Sequence, residues 1–331
     1  MIVRTRAYAR AGLVGNPSDG YFGKTISIII KNYAASATLY ETPCLTIVPA
    51  EQDLLQYDSM DDLASNIATY GYYGGVRLIK AAIKRFRDYC RENSFEIDSR
   101  NFSIEYHSTI PQRVGLAGSS AIITAALRAL MAFYGVTISN HQLANLALSV
   151  ETEELGLPAG LQDRVIQAYE GCVYMDFNRE VMEKRGYGEY ERIDVSQLPP
   201  LYVASLDKLA EGTEVFHSNI RARWEAGDPQ VVEAMRGFAR CAEEVRELLL
   251  AGRGSEIGPI LDRNFNIRAS IYRISDQNLD LIRRARSLGA SAKFAGSGGA
   301  IVGTYPDEAA YVRLEAGLRE IGATVIRPTM E

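Results

Sequence analysis

The chain has 331 residues, of which 47% are hydrophobic and 23% are charged, the balance of a soluble globular protein with a substantial core. Its 36 basic and 41 acidic residues give a net charge of −5, which argues against nucleic acid as the main partner. The four cysteines and three histidines are scattered, so neither a zinc site nor a disulfide framework is indicated. No apolar run approaches membrane-spanning length, so we expect a cytoplasmic protein without a membrane partner.

The N-terminal third has the composition of strands punctuated by glycine, proline and asparagine. We predict strands at Ile26–Ile30, Ala34–Tyr40 and Leu45–Val48. Apolar residues at helical spacing predict a helix over Gly74–Cys90, and a strand over Phe102–Tyr106 follows it.

Glycines mark the ends of three predicted helices in the middle of the chain. The first runs from Ala121 to near Gly135 and the second from Ser139 or Asn140 to Gly156; after a short loop, Leu157–Gly160, the third ends before Gly171. A strand is predicted next, over Cys172–Phe177.

The stretch Gln197–Pro200 is the best candidate for a domain boundary, which predicts domains at residues 1–198 and 199–331. Beyond it we expect a strand at Leu201–Ser205, two or three helices, and strands within Ala292–Gly303 and Thr324–Arg327. This mixture predicts an α+β fold, because strands and helices do not alternate regularly.

The loop from Pro111 to Ala121, PQRVGLAGSSA, opens directly onto a predicted helix. Unpaired first-turn N–H groups and the helix dipole favour a phosphate there, and a serine hydroxyl can reach a metal ion. The loop is not a P-loop, because Ser120 stands five residues after Gly115 and no lysine follows; dinucleotide and hydrolase-elbow motifs also fail on spacing. A serine N-cap on an ordinary helix remains an equal alternative.

Three glutamates, Glu151, Glu153 and Glu154, lie in the last turn of a predicted helix, where the dipole disfavours carboxylates. A bound divalent cation would offset that cost, and a solvated acidic face is the alternative. Helical periodicity places Glu154 on the inward stripe and Glu151 at its edge.

Asp163 falls in the first turn of the next helix, which favours an ionised carboxylate able to accept a proton or orient a hydroxyl. Its alternative is a merely favourable first-turn acid. Arg164 could pair with another acid or with an anionic substrate.

Two glycine-rich turns complete the candidate features. The turn Gly15–Gly20 has Arg10 before it and Tyr21 and Lys24 after it, which crowds charged and hydroxyl groups into one region. The segment KFAGSGGAIVG, which begins at Lys293, predicts a strand, a glycine turn and a second apolar run. In the alternative interpretation this segment is a plain hairpin, and Lys293 is then an ordinary surface charge.

These features together resemble the galactokinase, homoserine kinase, mevalonate kinase and phosphomevalonate kinase (GHMP) superfamily over nearly the whole chain. Arg10–Asp19 is similar to its first motif, Gly115–Ala121 to its second and Phe294–Ala300 to its third. The resemblance implies a two-domain α+β fold with the nucleotide site between the domains.

Within the superfamily the chain resembles the glucuronokinases. Four segments are similar to them, namely Gly15–Ser27, Gly71–Leu78, Ala159–Val165 and Ser291–Ala300. Two residues, Ala117 and Gly118, separate Leu116 from the serine pair where the commonest family form has one; some fucose and heptose kinases share this spacing. The segment Ala204–His217 departs more from the plant enzymes, which leaves the sugar open.

The resemblance also implies roles for single residues. Asp163 would activate the anomeric hydroxyl, and Arg10 would steady developing charge. Ser120 and Glu151 would hold Mg²⁺, in disagreement with the periodicity that prefers Glu154. The nucleotide would contact Arg113, Gly115, Leu116, Ala117, Gly118, Ser119, Ser120, Gly296, Ser297 and Gly298. The sugar would contact Asp19, Tyr21, Lys24 and Arg164, with Lys24, Arg113 and Arg164 as candidate cations for a substrate carboxylate.

The resemblance therefore implies an ATP- and Mg²⁺-dependent sugar 1-kinase that converts D-glucuronate to glucuronate 1-phosphate, as a monomer or small homo-oligomer. One alternative is a kinase of the same fold for galacturonate, fucose or a heptose. Another is a non-catalytic sensor of a sugar or nucleotide.

Overall fold

The computed structural model describes residues 1–50, 53, 57–61, 63, 64, 67, 74–206 and 214–330, the side chains of 214–219 excepted. The segments Gly71–Leu78 and Ala204–His217, which entered the family resemblance, therefore lie partly outside the described residues. The strands are β1 Ile2–Val14, β2 Lys24–Thr42, β3 Thr46–Val48, β4 Asn101–Ser108, β5 Cys172–Asp176, β6 Glu189–Ile193, β7 Leu201–Leu206, β8 Lys293–Phe294, β9 Ala300–Thr304 and β10 Ala323–Ile326.

The helices of the described residues are α1 Gly75–Glu92, α2 Gly118–Tyr134, α3 Asn140–Ser149, α4 Leu161–Tyr169, α5 Arg179–Arg185, α6 Glu214–Glu225, α7 Pro229–Leu250, α8 Gly258–Ile271, α9 Asp276–Ser287 and α10 Glu308–Arg319. A π-helical turn, Val150–Glu154, follows α3 directly, and a 3-10 segment lies at Ser18–Tyr21. The predicted α+β class is confirmed. Within the described residues, every helix is too short or too polar to span a bilayer.

The chain divides into two compact units, each built from several segments. Unit 1 comprises residues 1–9, 32–110 and 117–169, and unit 2 comprises residues 10–31, 111–116 and 170–331. The units interleave along the sequence because β1 and β2 each begin in one unit and end in the other. These two units do not coincide with the predicted domains, residues 1–198 and 199–331. The domain boundary at residues 198 and 199 stays a prediction.

The described part of unit 1 contains a small sheet and the helices α1 to α4. Residues 35–42 of β2 pair antiparallel with β4, and β3 pairs parallel with β4. Helices α1 and α2 bury apolar faces that include Phe86 and Phe133, and the Phe133 ring packs edge-on against Phe102 of β4 at 5.6 Å between centroids. Helix α2 thus lies against β4, and α3 and α4 pack against α2 and against each other.

Unit 2 contains an antiparallel sheet of order β10-β7-β9-β8. Its core joins Tyr202 of β7 and Ile301 of β9 to Leu281 of α9 and Leu314 of α10, all essentially inaccessible to solvent. A second cluster around Phe238 packs α6, α7 and α8 together. In the same unit, residues 24–28 of β2 pair with β5, which in turn pairs with β6.

The prediction of separate strands at Ile26–Ile30 and Ala34–Tyr40 is wrong, because both belong to β2. Asn32 and Tyr33 do not interrupt the strand, since pairing with β5 on one side and β4 on the other keeps both halves extended. Strand β1 was missed, although Ala7, Ala9, Ala11 and Leu13 alternate as in a half-buried strand and are indeed buried.

Candidate active site

No side chain caps the N-terminus of α2. Its N-cap residue is Ala117, in the left-handed conformation with φ 62°. Ser119 and Ser120 lie inside the first turn, and the buried Oγ of Ser120 donates to the Ala117 carbonyl at 3.2 Å. The serine N-cap alternative is therefore wrong, and the first-turn N–H groups can receive an anion.

Helix α3 ends in the π-helical turn that carries the candidate glutamates. A π turn spaces its hydrogen bonds five residues apart, so side chains beyond its start rotate away from their α-helical positions. Glu151 is buried at 4% exposure, whereas Glu154 reaches the exposed amine of Lys84 at 2.6 Å. The prediction that Glu154 faces inward is wrong, and the change of helix type is the reason.

Arg164 joins the two acidic residues that the family resemblance singled out. Its guanidinium pairs with Glu151 through Nη2, and its Nη1 lies 3.5 Å from Oδ2 of Asp163. Nη1 also donates to the Gly160 carbonyl at 2.8 Å. Asp163 lies in the first turn of α4, as predicted, with 21% of its side chain exposed. Arg164 thus pairs with acids, and its contact with a substrate stays a prediction.

Ser120 and Glu151 offer the hard oxygen donors that Mg²⁺ prefers, and both are buried in unit 1. Across the described part of the chain, no three His, Cys, Asp or Glu side chains cluster to hold a metal ion. Two protein oxygens would leave the remaining ligand positions of an ion to phosphate and water, as is common for Mg²⁺, and binding of the ion stays a prediction.

Arg10 occupies the centre of a second group of residues, in unit 2. Its Nη1 donates to the carbonyl of Gly115 at 2.6 Å and to that of Ala295 at 3.2 Å. The backbone N–H of Arg10 donates to the Leu116 carbonyl at 3.2 Å. Arg10 is 6% exposed, so its guanidinium is held between the loop of residues 111–116 and the glycine turn of residues 295–299.

The predicted sugar residues of the N-terminal turn stand near an aromatic cluster in unit 2. Asp19 lies in the 3-10 segment, and Tyr21 packs edge-on against Trp224 with centroids 5.4 Å apart. The guanidinium carbon of Arg221 lies 4.9 Å from the Tyr21 ring. Burial and the neighbouring Tyr272 raise the pKa of Tyr21, so its phenol stays a hydrogen-bond donor.

The three candidate cations for a substrate carboxylate differ in their partners. Lys24 pairs with Glu243 and, at 3.2 Å, with Asp176. Burial opposes the charge of Lys24, but the hydrogen bonds to these carboxylates outweigh it and raise its pKa. Arg164 pairs with Glu151 and Asp163. Arg113 is exposed at φ 59° and makes no ion pair with a described residue.

The glycine turn after β8 approaches the loop of residues 111–116 closely. A Cβ on Gly296 would lie 2.2 Å from the Gly115 carbonyl oxygen, and one on Gly115 would lie 2.9 Å from the Ser297 nitrogen. Glycine is therefore required at both positions by the neighbouring backbone. Gly298, with φ 144°, adds a conformation that other residues rarely adopt.

Lys293 is buried at 1% exposure, so its interpretation as a surface charge is wrong. The sequence reasoning also missed Arg268 of α8, which is 4% exposed and donates to the carbonyls of Gly296 and Ser297 at 2.9 and 3.1 Å. For Lys293, the apolar run around the glycine turn was a usable signal of burial. For Arg268, the helical spacing from Leu261 and Phe265 placed it on the buried stripe of α8, so periodicity offered a signal there too.

Comparisons with known proteins identify the family and the fold. A family model described as the N terminal domain of GHMP kinases matches residues 77–171. The fold also matches a crystal structure of Lactococcus lactis galactokinase complexed with galactose, with a TM-score of 0.74 at 14% identity, over 99% of this chain and 93% of that one. The fold is that of the GHMP kinases.

Two Arabidopsis thaliana proteins are similar over nearly the full length. "Probable glucuronokinase 2" is 44% identical over 93% of this chain and 86% of its own length. "Glucuronokinase 1" is 42% identical over 98% of this chain and 91% of its own length. The chain therefore belongs to the GHMP kinases, in the family of the glucuronokinases.

Proposed function

We propose that this protein transfers the terminal phosphoryl group of ATP to the anomeric hydroxyl of D-glucuronate, giving D-glucuronate 1-phosphate and ADP. Membership of the glucuronokinase family makes it an ATP-dependent sugar kinase. The structural observation that carries the proposal is the cluster in which Arg164 joins Asp163 to Glu151. The reaction calls for one carboxylate at the attacking hydroxyl and another at the metal, and we assign Asp163 and Glu151 to these two positions.

Asp163 takes the role of orienting the sugar hydroxyl and accepting its proton. Its position in the first turn of α4 favours the ionised carboxylate, and its partial exposure leaves it accessible to a sugar. Phosphoryl transfer passes through a loose transition state, so alignment and charge neutralisation contribute more than proton removal. Arg10 supplies fixed positive charge for that purpose in the proposal.

Ser120 and Glu151 are proposed to hold Mg²⁺. The loop of residues 113–120 is proposed to bind the nucleotide phosphates. When bound, the ion supplies positive charge that offsets the charge on the phosphate oxygens. Arg164 then does two things for this chain: it neutralises Glu151 before the ion binds, and it limits the directions in which Asp163 can turn. The uncapped N-terminus of α2 adds N–H donors for phosphate.

The substrate carboxylate requires a cation, and Arg113 fits this role best among the three predicted candidates. Lys24 and Arg164 each already pair with two acidic side chains, whereas Arg113 is exposed and pairs with no described acid. A guanidinium can bind a carboxylate through two parallel hydrogen bonds. Arg113→Gln should therefore raise KM for glucuronate much more than KM for a neutral sugar.

A panel of sugars and uronic acids tests the proposed activity. Each compound is incubated with Mg·ATP and the protein, ADP release is measured, and the product is identified by the position of its phosphate. The proposal expects the highest kcat/KM with D-glucuronate and phosphate on the anomeric oxygen. A preference for galacturonate, fucose or a heptose would reject glucuronate while keeping a sugar kinase.

A non-catalytic sensor is the remaining alternative, and ADP release with no member of the panel would favour it. The similarity to the glucuronokinases over nearly the full chain does not favour either alternative. A cytoplasmic location and a monomeric or small homo-oligomeric state remain predictions of the sequence.

A further inference from the structure

Three buried cations surround the glycine turn that follows β8. Arg10, Arg268 and Lys293 are 6%, 4% and 1% exposed, and all three belong to unit 2. Within the described residues, neither Arg268 nor Lys293 pairs with a carboxylate; their acceptors are backbone carbonyls and one asparagine side chain. Burying a charge without an opposite charge is costly, so the arrangement calls for a reason.

The cations bind four successive carbonyls of the turn. Lys293 donates to Phe294 at 2.7 Å, Arg10 to Ala295 at 3.2 Å, and Arg268 to Gly296 and Ser297 at 2.9 and 3.1 Å. A segment with three glycines has little conformational preference of its own. Its conformation is therefore set by its hydrogen bonds, namely those from these cations, the Ala295–Ala300 backbone bond and the bond from the Gly299 N–H to Oδ1 of Asn278.

Lys293 also reaches the strand and turn that carry Arg10 and Asp19. Its Nζ lies 2.6 Å from the Gly12 carbonyl and 2.6 Å from Oδ1 of Asn16. The Phe294 carbonyl is the third acceptor of the Lys293 Nζ. Three acceptors match the three N–H groups of a charged ammonium, whereas a neutral amine has only two.

We propose that Lys293 and Arg268 are positioning residues, which fix the glycine turn and, through Ala295 and Gly12, hold Arg10 in the orientation that nucleotide binding and phosphoryl transfer need. The proposal rests on the proposed kinase function. Neither side chain is a catalytic residue, because each acts through backbone carbonyls and not on a substrate.

The charge of Lys293 gives the proposal a pH signature. Burial, together with Arg268 and Arg10, lowers the pKa of Lys293 well below its ordinary value, while Cys241 on α7 acts weakly in the opposite direction. As the pH rises, Lys293 loses its proton and one of its three acceptors loses its donor. Arg268 stays charged, because a guanidinium begins from a far higher pKa.

The experiment compares Lys293→Met and Arg268→Met with Arg286→Met as the matched control. Arg286 is a partly buried arginine that donates to the carbonyls of Asp262 and Ala292 at 3.0 Å, at the base of the same hairpin and outside the proposed machinery. For each protein, kcat and KM for Mg·ATP, the Kd of Mg·ATP without sugar, and the thermal unfolding midpoint are measured.

We expect each of the two test variants to lower kcat/KM for Mg·ATP by about 10- to 100-fold and to weaken Mg·ATP binding, because small misplacements of reacting groups are costly. The control should lower the unfolding midpoint and leave kcat/KM within about two-fold once the folded fraction is counted. If Lys293→Met does not fold, Arg268→Lys replaces it; one ammonium cannot reproduce the two-carbonyl fork, so the same loss is expected.

A pH profile completes the test. In the wild type, kcat/KM should fall on the alkaline side as Lys293 deprotonates, and Lys293→Arg should shift or abolish that fall. Equal losses in test and control variants, or an alkaline fall unchanged in Lys293→Arg, would overturn the positioning role. A wild type that binds Mg·ATP but phosphorylates no sugar would contradict the proposed function instead, and the Mg·ATP titrations of the variants would still decide the positioning role.

Discussion

The two units hold their buried charges in different ways. In unit 1, the buried Glu151 and the partly exposed Asp163 beside it are compensated by an opposite charge, the guanidinium of Arg164. In unit 2, Lys293 and Arg268 are compensated by carbonyl dipoles within the described residues. An ion pair fixes two side chains relative to each other, whereas a cation on carbonyls fixes the course of the backbone. The first arrangement suits groups that act directly, and the second suits a flexible turn that must be kept in one shape.

The largest expected effect tests whether Asp163, and not a neighbouring acid of unit 1, acts on the sugar hydroxyl. Asp163→Ala should lower kcat by about 100- to 10,000-fold, because it removes the group that orients and deprotonates the hydroxyl. The Kd of Mg·ATP should change little, since Asp163 faces the sugar in the proposal. Glu153→Ala is the control, because its side chain is 65% exposed on the neighbouring π turn. Near-normal turnover in Asp163→Ala would reject the assignment.

The next effect tests whether unit 1 depends on opposite charge for its stability. Arg164→Met leaves the 5%-exposed Glu151 without its guanidinium and should lower the free energy of unfolding by about 3–5 kcal/mol. Lys84→Met breaks an exposed pair with Glu154, at 59% and 24% exposure, and should lower the free energy of unfolding far less, because water screens an exposed pair. Urea unfolding measures both. Equal costs would mean that the buried pair contributes no more than a surface pair.

A smaller effect tests the backbone packing of unit 2. Gly296→Ala places a methyl group 2.2 Å from the Gly115 carbonyl oxygen, so the turn must move, at about 1–3 kcal/mol. We expect weaker Mg·ATP binding as well as a lower unfolding midpoint. Gly289→Ala is the control, because φ is +86° there and no described atom lies within 4 Å. It adds backbone strain without overlap and should leave Mg·ATP binding unchanged.

The smallest effect compares one buried thiol from each unit. Burial raises the pKa of Cys90 to about 11 in unit 1 and that of Cys172 to about 12 in unit 2. Because the folded pKa exceeds the ordinary value of 9.0, each thiol stabilises the fold below pH 9, and this contribution is lost as the pH rises toward 11 or 12. Alkylation followed by mass spectrometry should label exposed Cys44 first and Cys172 last. Faster labelling of Cys172 than of Cys90 would contradict the order of their two raised pKa values.

The sequence by itself determined the local elements and the order of the motifs. Gly135, φ 69°, ends α2 where the sequence placed its end, and Ser139 begins α3 with a capping box to Gln142. Asp163 falls in the first turn of α4 as expected. These features depend on a few neighbouring residues, whose capping chemistry and backbone freedom act over one turn.

Only the tertiary structure decided which charges are buried and what they bind. The π turn rotates Glu151 inward, β2 continues through Asn32 because both halves find partner strands, and Lys293 binds residues about 280 positions earlier in the chain. Helical or strand periodicity assumes regular geometry and nearest neighbours, so it cannot register a changed helix type or a contact between distant segments. Burial and pairing are properties of the packed chain, and there the structure overrules local pattern.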